Sequence, residues 1–529
     1  MQFTDVAAPA GLSFAHDRGA TAEHHLAETM GSGLAWIDYD NDGWMDLYVV
    51  QGGPFPPSAG SGSKAQDRLY RNNRDGTFTD VTEKAKLHDT AYGMGATAVD
   101  VDNDGWTDLL VTNWGGVILY RNDGDGTFRD ATAASGLSAI PGFVTAAAWG
   151  DVDGDGRLDL FLARYVDDRN EARLFCGEPA TGERVYCPPM MYPGTSPILL
   201  RNGPDGVFRD VTKSAGLGDA VGRGLGAVFF DVDLDGKPDL YVANDETMNF
   251  LFHGLGDGRF EDISVVSGTG FDPLGNVQGG MGADAGDLDG DGLPDLVVAN
   301  YENETNEYYR NVGGGVFEDL ALSSGFGPPA VSFVGFGLNL FDPDNDGVLD
   351  AFIANGHIFE KPKRQGTTYA ERPFLMWNDG TGRFAERACG PAFAKAFVGR
   401  GSAVADYDND GDPDVAVSNS GGPLQLLRNH GGKGRWAGVQ LAGRRSNRGG
   451  IGARLVAELP SGRRLTRLAI AGSSYLSSSD PRIVFGLGGE AAIRRLTIFW
   501  PSGTVQAVES LAAGKYHRIE ESEPGTPRP

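Results

Sequence analysis

Short apolar runs alternate with polar turns along this chain in one recurring order. A glycine-rich apolar run comes first, as in Gly93-Met94-Gly95-Ala96 or Gly280-Met281-Gly282-Ala283. An acidic loop follows, then a second apolar run such as Leu47-Tyr48-Val49-Val50 or Leu296-Val297-Val298-Ala299. A third run ends in Tyr-Arg-Asn at Tyr70-Arg71-Asn72 and Tyr120-Arg121-Asn122, and an Asp-Gly turn leads to a last run opening on Phe-x-Asp. That last run starts at Phe78, Phe128, Phe208, Phe260 and Phe317, with a weaker copy at Phe384. Apolar runs of this length bounded by Gly, Asn and Asp read as strands. Each unit therefore predicts four antiparallel strands, one propeller blade.

The first Asp of each acidic loop stands at 38, 100, 151, 231, 287, 342 and 406, in steps of 62, 51, 80, 56, 55 and 64. Periods of this size with several strands per unit indicate a propeller or array. Seven acidic loops are followed by only six final strands, and the missing one stands at the other end of the chain as Phe3-Thr4-Asp5-Val6. The expected fold is all-β: a seven-bladed β-propeller over residues 1–430, its ring closed by the N-terminal strand so that no edge is left open. A small β-rich domain follows it.

The acidic loops share the pattern D-x-D-x-D-G-x-x-D, with no degenerate copy. They are Asp38, Asp40, Asp42 and Asp46; Asp100, Asp102, Asp104 and Asp108; Asp151, Asp153, Asp155 and Asp159; and Asp231, Asp233, Asp235 and Asp239. The remaining three are Asp287, Asp289, Asp291 and Asp295; Asp342, Asp344, Asp346 and Asp350; and Asp406, Asp408, Asp410 and Asp414. Carboxylates at alternate positions of a tight turn converge on one point, and a hard cation such as Ca²⁺ needs six to eight oxygens there. Glycine at position 6 permits the turn, the carbonyl of position 7 (Trp44 in the first copy) can face the ion, and the last Asp can close the shell bidentately. No His or Cys enters any loop, which disfavours softer metals. The expectation is up to seven structural calcium ions. They would add 14 charges to a formal −27 and bring the chain to −13. Without them the clustered carboxylates repel, so folding and calcium binding are expected to be linked.

These repeats resemble the FG-GAP/VCBS repeats of integrin-α-type propellers over about the first 430 residues. Beyond them, Asn447 with Gly450-Ile451-Gly452-Ala453-Arg454, Gly472-Ser473-Ser474-Tyr475-Leu476, Phe485-Gly486-Leu487-Gly488 and Trp500-Pro501-Ser502-Gly503 resemble the ASPIC/UnbV domain. The combination resembles the cartilage acidic protein family in its bacterial form, whose pattern Asn355-Gly356-His357 and Arg400-Gly401 also match. That family is better defined by architecture than by reaction. The expected organisation is a propeller over 1–430, an ASPIC/UnbV-like β domain over 431–521 and a disordered tail over 522–529.

From residue 431 the chain holds 15 Lys and Arg against 7 Asp and Glu, a net +8 that leaves −35 on the propeller. Opposed charges of this size either hold the two domains together or serve separate partners. The arginines are scattered and the whole chain is acidic, which argues against nucleic acid. No apolar run approaches the length of a membrane span. No signal peptide precedes the first predicted strand, so either export is absent or a leader has been trimmed. Dependence on calcium favours a secreted or periplasmic protein, without excluding the cytoplasm. Cys176 and Cys187 share one long insertion and are expected to form a disulfide suited to an oxidising compartment, with unpaired thiols as the alternative; Cys389 stands alone.

Each acidic loop joins the first two strands of its unit, so the connection after the second strand emerges on the opposite face. The long insertions fall there: 52–67, 165–197, 301–307 and 356–373. A protein, glycan or small ligand is expected to bind this calcium-free face. Gln51, Asn113, Arg164, Asn244, Asn300, Asn355 and Asn419 occupy one equivalent position there, either as a polar collar at the channel mouth or as caps of the strand end. The segment 8–31 brings His16, His24, His25 and Glu28 to the same face, with His88 and His357 arriving from other blades. His25, Glu28 and His357 are the candidate catalytic or transition-metal residues at the channel mouth. Two functions follow: a calcium-stabilised binding scaffold, as the integrin-type resemblance implies, or a metal-assisted enzyme, which the UnbV link to natural-product pathways keeps open. No nucleophile motif, phosphate loop or dinucleotide fingerprint supports a named reaction.

Overall fold

The computed structural model describes residues 1–56, 66–362 and 366–523, so most of the tail expected at 522–529 lies outside the described residues. It is an all-β protein with a β-propeller fold. Among the described residues α-helix is confined to the single turn Ala27–Met30. The second apolar runs are buried along their whole length, as in Asp46–Val49 and Asp239–Asn244, because neighbouring sheets cover both of their faces.

The first sheet pairs Leu34–Ile37, Asp46–Val49, Arg68–Asn72 and Phe78–Asp80 in chain order, all antiparallel. Sheets of the same order start at Tyr92, Val144, Gly224, Ala283 and Gly335. A further four-stranded sheet takes Gly399–Ala405, Asp414–Asn419 and Gln425–Asn429, with Phe3–Asp5 as its outer strand. Each first strand lies against those of the sheets before and after it, and Gly399–Ala405 lies against Leu34–Ile37.

Two repeated asparagines bind these sheets to one another. The Asn at or near the end of most third strands donates its side-chain amide to the preceding sheet's acidic loop: Asn122 to the Tyr39 carbonyl (2.8 Å), Asn311 to Val232 (2.7 Å), Asn378 to Leu288 (2.7 Å). Asn72 reaches Tyr407 at 2.8 Å, linking the first sheet to the last. At position 4 of the loops, Asn41, Asn103, Asn345 and Asn409 each donate to the glycine carbonyl of the adjacent loop.

Residues 435–520 form a three-stranded and a four-stranded sheet around their own core, including Val439, Leu455, Phe485, Leu496 and Ile498. Between them the segment 471–480 runs into the centre of the propeller. The Ser478 amide donates to Leu34 and its carbonyl accepts from Trp36, while the Leu476 carbonyl accepts from Ala96. Ser474 and Ala283 exchange backbone bonds, the Ser474 hydroxyl donates to the Ser402 carbonyl (3.1 Å), and Tyr475 donates to Met30 (3.0 Å). This segment explains several of the glycines at the first strands, while others, such as Gly226 against the Met281 carbonyl, are set by the neighbouring sheet. A methyl group on Gly33 or Gly95 would run into the Leu476 carbonyl, and one on Gly401 into the Ser477 hydroxyl.

Candidate metal loops and a pocket on the opposite side

In every acidic loop the first Asp organises the turn. Asp38 accepts the amides of Asp42 (2.9 Å) and Gly43 (3.0 Å), and Asp151, Asp231 and Asp342 do the same in their loops. The ninth-position Asp is buried and serves a second purpose that spacing did not reveal. Asp46 accepts Asn72 N (2.8 Å) and Tyr39 N (3.2 Å), and Asp108, Asp159, Asp239 and Asp295 repeat both bonds. In Asp46 and Asp159 each oxygen keeps one lone pair, so the carboxylate locks the third strand and can still face its cluster; Asp108 Oδ2 and Asp239 Oδ1 take a second bond, from Arg121 and His253.

Carboxylate oxygens of Asp38, Asp40 and Asp42 lie within 4.8 Å of one another, as do those of Asp100, Asp102 and Asp108, of Asp151, Asp153 and Asp159, and of Asp231, Asp233 and Asp235. Arginines one residue before the asparagine that ends the third strand offset part of this charge: Arg121 contacts both Asp102 and Asp108 at 2.9 Å, and Arg428 contacts Asp408 at 2.7 Å. Buried acceptors without any donor remain on Asp40, Asp153, Asp344, Asp406, Asp408 and Asp414. Such oxygens are costly unless something positive faces them, and an all-oxygen set of this kind fits a hard cation. Burial first, and then the neighbouring carboxylates, push the acids up: Asp38, Asp100, Asp151 and Asp231 to about 6, Asp159 and Asp295 to about 8, Asp350 to about 9.

The basic C-terminal domain sits on these acidic loops. Arg482 donates to the carbonyls of Gly43 (3.2 Å) and Asp406 (2.8 Å), and Tyr516 donates to the Asp406 carboxylate (2.7 Å). Arg467 lies 3.7 Å from Asp342, and Asn103 accepts from Arg448 N. Of the two readings of the opposed charges, contact between the domains is the one observed.

On the far side the equivalent polar positions cap strand ends. Asn244 donates to Met248 O, Asn300 to Thr305 O, Asn355 to Arg372 O and Asn419 to Pro423 O, each at 2.7–2.9 Å, while Arg164 donates to Ser196 O. The candidate histidines have separate partners. His25 pairs with Glu171 (2.7 Å), and Glu28 accepts from Thr21 (2.6 Å) and Tyr186 (3.0 Å). His357 accepts Phe359 N at Nδ1 (2.8 Å) and turns Nε2 toward Glu302 (3.4 Å); burial pushes its imidazole down against that carboxylate's pull. His16 is a buried core histidine, pushed down to about 3 by burial and by Arg400. Arg400 is itself buried over the Phe336 ring and donates to the carbonyls of Thr29, Gly356, Gly399 and His357. The Asn-Gly-His and Arg-Gly matches are thus two ends of one clamp.

Beside that clamp lies a cavity of about 210 Å³, lined by Met30, Leu225, Met281, Tyr301, Phe336 and Phe359 among others, with Asp245 at one end. None of His25, Glu28 and His357 lines it. Tyr165 donates to Asp245, whose carboxyl burial pushes up to about 7. Pro188, Pro189 and Met190 cover it from the insertion that the Cys176–Cys187 disulfide closes. A loop of this size is expected to lose about 3 kcal/mol of local order when the bond is reduced. Dithiothreitol should therefore open residues 165–197 to proteolysis while the main unfolding transition stays in place.

The sequence of this fold and these loops falls in known families. The model of the FG-GAP-like repeat matches residues 38–111, 100–162, 231–298, 287–353 and 366–417, and that of ASPIC and UnbV matches 443–526. The chain belongs to the FG-GAP-like repeat family and carries a C-terminal ASPIC and UnbV domain. It is similar to Cartilage acidic protein 1 of Xenopus tropicalis, 26% identical over 512 residues, covering 84% of this chain and 76% of that protein. The Homo sapiens protein of the same name is 26% identical over 517 residues, covering 84% and 75%. Among solved structures, a lectin of Agrocybe aegerita that recognises non-reducing terminal N-acetylglucosamine is 17% identical, with a TM-score of 0.40 over 69% of this chain and 88% of its own. No helix among the described residues is long and apolar enough to cross a membrane.

Proposed function

We propose that this chain is a calcium-loaded scaffold: a seven-bladed propeller over residues 1–430, its ring closed by Phe3–Asp5, with residues 431–521 as a domain locked onto its acidic loops. It recognises a ligand in the pocket beside Asp245, on the side away from those loops. The calcium reading rests on the buried carboxylate oxygens that have no donor in four of the seven loops. The recognition reading rests on the pocket, which combines apolar walls with two neighbouring carboxyls, Asp245 and Glu246. Its volume suits a small apolar group carrying a hydrogen-bond donor, presented by a free small molecule, a glycan or a protein side chain. The disulfide supports an extracytoplasmic setting.

A calorimetric screen of calcium-loaded protein against small amphiphiles, glycans and peptides tests recognition. A ligand of this pocket should bind Asp245→Asn at least ~10-fold more weakly, the cost of about one charge-assisted hydrogen bond. Equal affinity for the variant would place recognition elsewhere.

A further inference from the structure

The fifth sheet holds an arrangement that the other sheets avoid. Its third strand, Glu307–Gly313, opens on Glu307, which pairs with Val298, three residues after the last loop Asp. The residues at the same register in the other sheets are Arg68, Ile118, Ile198, Phe250, Phe374 and Gln425. None of those is acidic. The neighbouring fourth strand ends on the Asp of Phe-x-Asp, here Asp319.

In the first sheet Arg68 lies 3.2 Å from Asp80, so a cation faces that Asp. In the seventh, the Gln425 side-chain amide donates to Asp5 at 3.5 Å. In the fifth sheet Glu307 stands where Arg68 stands, and two carboxyl groups face each other instead. Glu307 is fully buried. Its Oε1 accepts from Gln278 (2.7 Å) and Thr305 (2.9 Å), but Oε2 has no donor, and neither has Asp319 Oδ2. The amide oxygen of Gln278 and the hydroxyls of Tyr241 and Tyr309 are buried without partners as well. Burial and the Asp319 charge push the Glu307 carboxyl up to about 8, the response of a group that lacks the positive charge its place calls for.

We propose that Glu307, Asp319 and Gln278 form a cation site separate from the acidic loops, taking a hard divalent ion of the calcium class between the fourth and fifth sheets. Gln278 turns its amide nitrogen to Glu307 Oε1, and the unpartnered atoms left are all oxygens, on Glu307, Asp319 and Gln278; such a set disfavours soft metals, and two carboxylates balance the charge of one divalent ion. The ion does for the fifth sheet what the guanidinium of Arg68 does for the first.

Elemental analysis of the full chain, dialysed against calcium and freed of excess, tests this. Glu307→Gln and Asp319→Asn should each hold one calcium fewer per chain than the parent, with the acidic loops untouched. Glu307→Arg recreates the Arg68–Asp80 pairing, and it should also hold one fewer yet show a melting temperature that no longer rises with the last equivalent of calcium. If either isosteric variant fails to fold, the other and Glu307→Arg carry the comparison. An unchanged calcium count in the folded variants would overturn the site and leave a carboxyl pair that shares a proton.

Discussion

Stripping calcium with a chelator is expected to lower the melting temperature by more than ~10 °C, with a loss that depends on pH. Each loop filled at a hundredfold excess over its dissociation constant contributes about 2.7 kcal/mol, so three filled loops already amount to about 8 kcal/mol. The pH dependence follows from acids held above their unfolded values, near 6 for Asp38 and Asp100 and near 8 for Asp159 and Asp295. In the metal-free chain such groups stabilise the fold fully below about pH 4, while protonated, and that contribution is lost as pH rises through 6 to 9. Chelated protein should therefore melt lower at pH 8 than at pH 5, whereas calcium-loaded protein, whose ligands bind deprotonated, should not show that fall. Differential scanning calorimetry at both pH values, with and without calcium, checks the sign. A chelated protein that is more stable at pH 8 would contradict it.

Adding one methyl group at Gly33 is expected to be among the most damaging small substitutions in the chain. The new Cβ would overlap the carbonyl oxygen of Leu476, a backbone atom of the segment 471–480 that bonds to several first strands and cannot turn aside. Overpacking of this kind costs about 3 kcal/mol or more. Gly33→Ala should lower the urea midpoint and expose the inter-domain stretch at Lys433 and Arg435 to trypsin, since the segment that anchors the C-terminal domain is displaced. Gly489→Ala, where no atom lies within 4 Å, is the matched control and should change neither. Equal behaviour of the two variants would mean that the segment is not a lock.

The repeat pattern was readable because each strand needs an apolar run and each acidic loop needs Asp at fixed spacing, both local demands. The loop carboxylates and the strands opening at Phe78, Phe128 and Phe384 follow directly from it. Local pattern could not show that Asn72 reaches a carbonyl 335 residues away, or that Ser474 and Ser478 run between the first strands, because a Gly-Ser-rich run carries no period. The glycines of the first strands were visible, but the reason for Gly33 and Gly95 lies at Leu476, far along the chain in the C-terminal domain. The surroundings of the histidines were hidden for the same cause: each is placed by its own loop, and the loops give His25 and His357 different acidic partners. The pocket residues Leu225, Met281 and Phe336 look like ordinary core in the sequence, and only the insertion above them makes a cavity.

The central claim is that the repeated carboxylate clusters are calcium sites. Elemental analysis of protein purified without added metal, by inductively coupled plasma mass spectrometry, tests it most directly. The account predicts about seven calcium ions per chain, eight with the Glu307 site filled, and their removal by chelation together with the loss of stability at pH 8. Fewer than one calcium per chain in folded protein, with no response to the chelator, would contradict it.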